Sequence, residues 1–309
     1  TGPTPVLAPS NEAGLFDLSA VSSPSVVYDG SKYRLYYTGR STASPAARVG
    51  MATSIDGLVW ARMSVPVTVA GETSISQEAP SVLLQPDGSW IMAYRAMDKA
   101  GLPTIALASS VDGIAWTREV TVVRAGEADS WDQVDVNEPT LVPFAGPADT
   151  SPHLYLWYQG KGKLTSAGAN HLLPALGLAS AAVTSKLSAL TFTKYKGNPV
   201  LEPKTGSSDD RGLGDPWVLA RGNELWMYYV GFTWGGQTQI NLAASEDGKR
   251  WVRYPGNPLV QAGGTSFFGS KLMRGPTVLN QWGAINLWYG GQNASGSMAI
   301  GHVVNRLAE

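Results

Sequence analysis

Cysteine is absent from this 309-residue chain, so neither a disulfide nor a thiolate metal site can form. Histidine occurs three times, too sparsely for a rich imidazole metal centre. Charged residues make up only 15% and the net charge is -1, which excludes the basic face that nucleic acid binding demands. No apolar run of about 18 residues occurs, so no helical membrane span is encoded. A Gly-x-Ser-x-Gly elbow, a phosphate loop and a dinucleotide fingerprint are all missing.

What is plentiful is turn and strand material. The chain carries 35 Gly, 20 Pro, 11 Trp and 12 Tyr, a composition suited to many short strands joined by tight turns. One pattern recurs five times. A proline followed by an apolar strand leads into an aromatic-rich strand and then a third apolar strand. The copies begin at Pro24, Pro80, Pro139, Pro216 and Pro276, spaced by 56, 59, 77 and 60 residues. Three copies add a fourth strand after a Ser-x-Asp-Gly-x-x-Trp turn, at Ser54–Trp60, Ser110–Trp116 and Ser245–Trp251. The third copy replaces this turn with Ser185-Lys186-Leu187-Ser188, and its long spacing reflects an insertion between Gly160 and Leu176. An internal repeat of this size sets the architecture. Five units of four strands predict an all-β, five-bladed β-propeller of antiparallel blades, with residues 1–309 as one domain. The last copy ends soon after its third strand, so Pro5-Val6-Leu7 is expected to pair with it and close the ring.

The first strand of each blade lines the propeller axis. Its start shares a face with the end of the second strand, and these segments surround one mouth of the channel. The residues directly before the prolines are Ser22-Ser23, Glu78-Ala79, Asn137-Glu138, Gly214-Asp215 and Arg274-Gly275. Farther upstream, an aromatic-Asp pair recurs as Phe16-Asp17 and Trp131-Asp132. Asp17, Glu78, Glu138 and Asp215 come from four blades and are expected to converge. Crowded like charges raise a carboxyl pKa, which is how a general acid stays protonated. Two carboxyls across a sugar-sized cleft are the minimum for glycosidic hydrolysis. Arg40, Arg95, Asp135, Gln159, Lys161, Arg274 and Gln292 are candidates for binding sugar hydroxyls, and Trp234 for stacking on a ring. The alternative for each acid is structural, capping a turn or pairing with Arg95 or Arg274. The Asp-Gly turns read as architecture, with Asp bonding its own turn. Asp209-Asp210 reads as a solvated loop pair. His171, in the insertion, is placed where it could reach the mouth.

The repeated Pro-x-Val, Tyr-x-x-Tyr-x-Gly, Ser-x-Asp-Gly-x-x-Trp and Asn-Pro-Val/Leu elements resemble the five-bladed propeller glycoside hydrolases of families 43, 62, 32, 68, 117 and 130. The resemblance covers nearly the whole chain. Family 43 implies an inverting mechanism with a base Asp before the first-blade proline, a second Asp before the second and an acid Glu near the third. Only the last carries over, as Glu138. Ser23 stands at the first position with Asp17 nearby, and Ala79 at the second with Glu78 one residue earlier. Family 130 implies a single protein carboxylate, often with phosphate bound by basic residues, and Tyr94-Arg95-Ala96 with Arg274 is similar to such a site. The Arg-Asp-Pro that families 32 and 68 need on blade 2 is absent.

The expectation is a glycosidase acting on a plant- or microbe-derived oligo- or polysaccharide, with arabinofuranosyl or xylosyl units implied by the resemblance. Asp17 and Glu138, tuned by Glu78 or Asp215, are the expected catalytic residues. The alternatives are a family 130-like phosphorylase or hydrolase and a non-catalytic carbohydrate-binding propeller. No cofactor or metal is expected, although a structural Ca²⁺ bound by oxygens is compatible with a propeller axis. A monomer whose partner is a carbohydrate is expected. Low Lys content, abundant Thr, Ser, Gly and Trp, and a start at TGPTPVLAPS without signal peptide suggest a secreted or periplasmic protein.

Overall fold

Strands buried on both faces read as continuous apolar runs, and the middle strand of each repeat does so here. The computed structural model describes residues 5–147, 149, 151–164, 172–184, 186–262, 272–292 and 296–306. His171 lies outside the described residues. Blade 1 comprises β1 (Ala20–Tyr28), β2 (Tyr33–Ser41), β3 (Ser44–Ser54) and β4 (Ala61–Arg62). In blade 2, β5 (Val69–Ala70) accompanies β6 (Ser76–Leu84), β7 (Trp90–Met97), β8 (Pro103–Ser110) and β9 (Trp116–Arg124). Blade 3 holds β10 (Asp135–Phe144), β11 (His153–Lys163), β12 (Leu172–Ala182) and β13 (Thr193–Lys194). Blade 4 holds β14 (Gly212–Arg221), β15 (Glu224–Phe232), β16 (Thr238–Ser245), β17 (Val252–Arg253) and β18 (Val260–Gln261). The last blade has β19 (Leu272–Gln281), β20 (Ala284–Gln292) and β21 (Met298–Arg306). The only helical element among the described residues is a 3₁₀ turn at Leu187–Ala189, so no helix there is long enough to cross a membrane.

Closure follows the expected route. Val6 donates its N–H to the Ile300 carbonyl at 2.8 Å, and Leu7 pairs with Ile300 on the outer edge of β21. The N-terminal segment thus supplies the missing edge of blade 5.

The apolar content forms five interblade seams instead of one central core. Alternation within a strand assigns side chains to them. On β7, Trp90, Met92, Tyr94 and Ala96 enter the seam with blade 1, whereas Ile91 and Ala93 enter the seam with blade 3. The Asp-Gly turns serve as locks across three seams. Tyr36 donates to the Gly113 carbonyl at 2.7 Å, Trp157 to Gly248 at 2.9 Å and Trp288 to Gly57 at 2.9 Å. Each turn glycine has φ near +70°, and an added Cβ would meet the ring or hydroxyl that it receives. Blade 3 lacks the turn, and the matching position on blade 2 is Ala93. Leu187 and Leu190 pack into that seam instead.

A second device encircles the axis. The residue after each proline carries a hydroxyl in four blades. Ser25 accepts the Val82 N–H at 3.0 Å, and Ser81 accepts that of Leu141 at 3.0 Å. Thr140 accepts the Val218 N–H at 3.3 Å, and Thr277 that of Val26 at 3.2 Å. Trp217 occupies the fifth position and donates its indole N–H to the Val278 carbonyl at 3.1 Å. First strands of neighbouring blades do not pair as a sheet, so these side chains answer backbone groups that would otherwise be buried without partners. Ser81→Ala should therefore lower stability by about 1–3 kcal/mol, the cost of an orphaned buried N–H, whereas Ser81→Thr should be near neutral. Equal melting midpoints for Ser81→Ala and wild type would refute the collar's role.

Candidate active site

The residue before each first-strand proline adopts a left-handed backbone. Ser23, Ala79, Glu138, Asp215 and Gly275 have φ of 46°, 52°, 44°, 51° and 46°. At each point the pairing register slips by one residue, as between Ser22 and Ser25 opposite Thr38 and Tyr36. These are β-bulges, which remove one residue from the alternating pattern and re-aim its side chain. The five bulges stand at equivalent heights around the axis.

Their contacts cross the channel. Ser23 on blade 1 donates its hydroxyl to Glu138 Oε1 on blade 3 at 2.9 Å, bridging blades that are not neighbours. Asp215 Oδ2 accepts the Gly275 N–H at 2.8 Å. A Cβ on Gly275 would stand 2.7 Å from the Ser23 Cα, so that position has no room for a side chain. Burial, then the neighbouring Asp215 and also Glu78, push the Glu138 carboxyl up to about 8, with the Ser23 hydrogen bond and Arg274 acting the other way. Burial raises Asp215 as well, opposed by Arg274 and the Gly275 N–H. Glu138 keeps part of its side chain exposed, while Asp215 is buried.

The expected second-strand partners arrive as the register requires. Arg95 lies opposite Glu78, Gln159 opposite Asn137 and Lys161 opposite Asp135. Glu78 is gripped by Arg95 at 2.5 Å and by Arg40, and Arg95 also reaches Asp135 at 3.0 Å. This ion-pair chain joins blades 1, 2 and 3. Arg274 stands 3.9 Å from Asp215 and lies over the Phe232 ring. Lys161 is exposed at the rim, Gln292 bonds the Gly296 carbonyl, and Trp234 is 57% exposed beside Arg211.

Asp17 does not join this group. Its Oδ2 accepts the Tyr37 hydroxyl at 2.8 Å and the Arg62 guanidinium at 2.7 Å, and the side chain is buried. The same clasp is built from Asp132, Tyr158 and Lys194, from Asp209, Tyr229 and Arg253, and from Glu72, Tyr94 and Arg118. An acid repeated in four blades with the same tyrosine and cation belongs to the scaffold. This corrects the placement expected for Asp17, and Asp209 is likewise a buried clasp acid instead of a solvated one. Ser23 was visible in the sequence only as a departure, and its position before the proline was the signal of its place in the ring. Among the described residues, no group of three or more His, Asp or Glu is arranged to hold a metal ion.

No protein-family model matches the chain, and no curated protein matches it. Solved structures share its fold. A glycoside hydrolase superposes with a TM-score of 0.75 at 16% identity, over 98% of this chain and 96% of the other. A member of the GH130 family of mannoside phosphorylases, a family described as containing hydrolases that target β-1,2 mannosidic linkages in Candida mannan, gives 0.73 at 13% identity, over 99% and 92%. A thermostable family-43 glycoside hydrolase gives 0.65 at 17% identity, over 96% of both chains. The fold is thus that of the propeller glycoside hydrolases.

The raised carboxyl has a stability consequence. The Glu138 pKa is about 8 in the fold against an ordinary 4.5, so the native state loses stability as pH rises from 4.5 through 8. Glu138→Gln removes that titration. Its melting midpoint should exceed that of wild type at about pH 8.5, by a margin that shrinks toward about pH 5. A margin independent of pH would contradict the raised carboxyl.

Proposed function

We propose that the chain is a glycoside hydrolase whose general acid is Glu138 and whose partner carboxylate is Asp215. The observation that carries this reading is the pairing of the two acids at equivalent bulges of adjacent blades, with Glu138 pushed up to about 8. Two carboxyls whose environments separate their protonation states are what acid-assisted glycoside cleavage requires. At neutral pH Glu138 holds its proton. Ser23 donates to Oε1, which leaves Oε2 to carry that proton toward a leaving oxygen. Asp215 is raised by burial as well, but the Gly275 N–H and Arg274 oppose that rise, so we assign it as the carboxylate of the pair. It is positioned to act on water or on the anomeric carbon.

Glu78 supports the acid at a distance. Its charge is met by Arg40 and Arg95, so it contributes less repulsion to Glu138 than Asp215 does. Those two arginines are thereby committed to carboxylates, which favours water over phosphate as the acceptor. The arabinofuranosyl or xylosyl substrate implied by the family resemblance is our first choice, with a β-mannoside the next to test.

Leaving-group dependence tests the assignment. A sugar alkoxide needs a proton to depart, and p-nitrophenolate scarcely does. On p-nitrophenyl α-L-arabinofuranoside, β-D-xyloside and β-D-mannoside, and on the matching disaccharides, Glu138→Gln should lower kcat/KM by roughly 10²–10⁴-fold for the disaccharide and far less for the aryl glycoside. Asp215→Asn should lower both. Equal losses on the two leaving groups with Glu138→Gln would remove Glu138 as the acid.

A further inference from the structure

At the rim above the acid pair, one aromatic side chain is held out on a mounting of its own. Among the described residues of the loops that join second to third strands, Trp234 is the one aromatic. It follows Phe232, the last residue of β15, and is 57% exposed. The loop that carries it is closed by the Thr233 N–H, which donates to the Gln237 carbonyl at 3.0 Å. The Trp234 N–H donates to Asp210 Oδ1 at 3.1 Å, and the Arg211 guanidinium lies 5.7 Å from the ring centre. Arg211 in turn donates its N–H to the Phe232 carbonyl at 2.9 Å.

Asp210 and Arg211 directly follow Asp209, the clasp acid fixed by Tyr229 and Arg253. The clasp acids of blades 1 and 3 are followed by Leu18-Ser19 and Gln133-Val134. Of these three blades, only blade 4 places a carboxylate and a guanidinium there. A tethered backbone and a cation against the ring restrain the indole before any ligand arrives, which lowers the cost of binding.

Arg274 links this loop to the acids. Its guanidinium lies 4.9 Å from the Phe232 ring centre and 3.9 Å from Asp215 Oδ1. Strand pairing sets the height. Gly214, beside Asp215, faces Val230, and Phe232 lies two residues farther along, roughly 7 Å toward the rim. A sugar reaches the acids from this side, because below the bulges the channel is walled by apolar residues such as Val26, Val82, Leu141 and Val278. A terminal unit held at Glu138 and Asp215 leaves the rest of its chain to run outward past the rim, on the leaving-group side of the scissile bond. There the indole offers a flat apolar surface that matches the C–H face of a sugar ring.

We propose that Trp234 is the stacking platform for the first sugar on the leaving-group side, a role that rests on the glycosidase reading of Glu138 and Asp215. The substrate is then the end of a saccharide chain, and the enzyme removes its terminal unit. Binding energy gained on a unit that does not react selects chains over single sugars.

The test compares trisaccharides of arabinose, xylose and β-linked mannose with the corresponding glycosyl fluorides, whose leaving group is one atom and cannot reach the rim. Trp234→Ala should lower kcat/KM for the trisaccharide turned over best by about ten- to a hundredfold, mostly through KM, and for its fluoride far less. Trp234→Phe restores a ring and should recover most of the loss. Both variants should melt close to wild type, as substitutions of exposed side chains usually do. Equal losses on trisaccharide and fluoride, with or without a lowered melting midpoint, would make the ring a brace for its loop and overturn the proposal. So would a loss that Trp234→Phe does not reduce. The acid assignment fails separately. If Glu138→Gln lowers trisaccharide and fluoride cleavage equally while Trp234→Ala still acts on the trisaccharide, the platform stands without that acid. If nothing in the panel is turned over, the same trisaccharides are titrated into protein isotope-labelled at its indole nitrogens, the Trp234 resonance being the one absent from Trp234→Phe. That resonance should shift and saturate with at least one trisaccharide, at concentrations where the matching monosaccharide leaves it in place. No shift with any trisaccharide, or an equal shift with the monosaccharide, would overturn the proposal.

Discussion

A left-handed residue directly before each first-strand proline is the constraint on which the channel mouth depends. An L-residue held near φ +50° costs about 1–2 kcal/mol, and four of the five positions are not glycine. The cost is sustained because the bulge is fixed on both sides. Before it, the strand pairs in register with the end of the second strand. After it, the hydroxyl collar ties the strand to its neighbour. One residue per blade is thereby lifted out of alternation and turned to meet its counterparts across the axis. Strain of this kind tends to concentrate where chemistry is done. Blade 5 shows the geometric limit, since Gly275 approaches the Ser23 backbone too closely for any side chain.

The rest of the fold divides between holding and tuning. Turn locks fasten the seams, acid–tyrosine–cation clasps fasten the strands within a blade, and both use residues repeated from blade to blade. Their charges are buried yet paired, which keeps them out of the electrostatics of the mouth. The tuning residues are those that differ. Glu78 is balanced by two arginines, so Glu138 feels chiefly burial and Asp215. Ser23 supplies a hydrogen bond at the bulge where the resemblance to family 43 implies a carboxylate, and the carboxyl that most raises Glu138 comes from blade 4.

Much of this was legible in the sequence because repetition exposes architecture. The five prolines fixed the blades, the turn at Ser54–Trp60 and its copies fixed the fourth strands, and Pro5-Val6-Leu7 marked the closing segment. Convergence of Glu78, Glu138 and Asp215 followed from strand order. What could not be read was direction at the bulge. Alternation alone leaves Glu78 and Ala79 ambiguous, since a bulge is a backbone event with no residue code beyond the proline. Asp17 misled for a related reason. Its spacing before the proline matches the mouth, but its partners Tyr37 and Arg62 lie on the second and fourth strands, and only the folded blade brings them together. The covariation of Ala93 with the missing turn in blade 3 was present in the sequence, and it became interpretable only once Tyr36, Trp157 and Trp288 were seen donating to turn carbonyls.

The proposed acid pair depends on one carboxyl, Glu138, raised by burial and by Asp215. Carbon-13 titration of the glutamate side-chain carboxyls measures it directly, with Glu138→Gln identifying the resonance. One glutamate should titrate near 8 in the wild-type protein and move well down in Asp215→Asn. If every glutamate titrates below about 6, or if the high value is unmoved by Asp215→Asn, the acid pair proposed for this propeller does not exist.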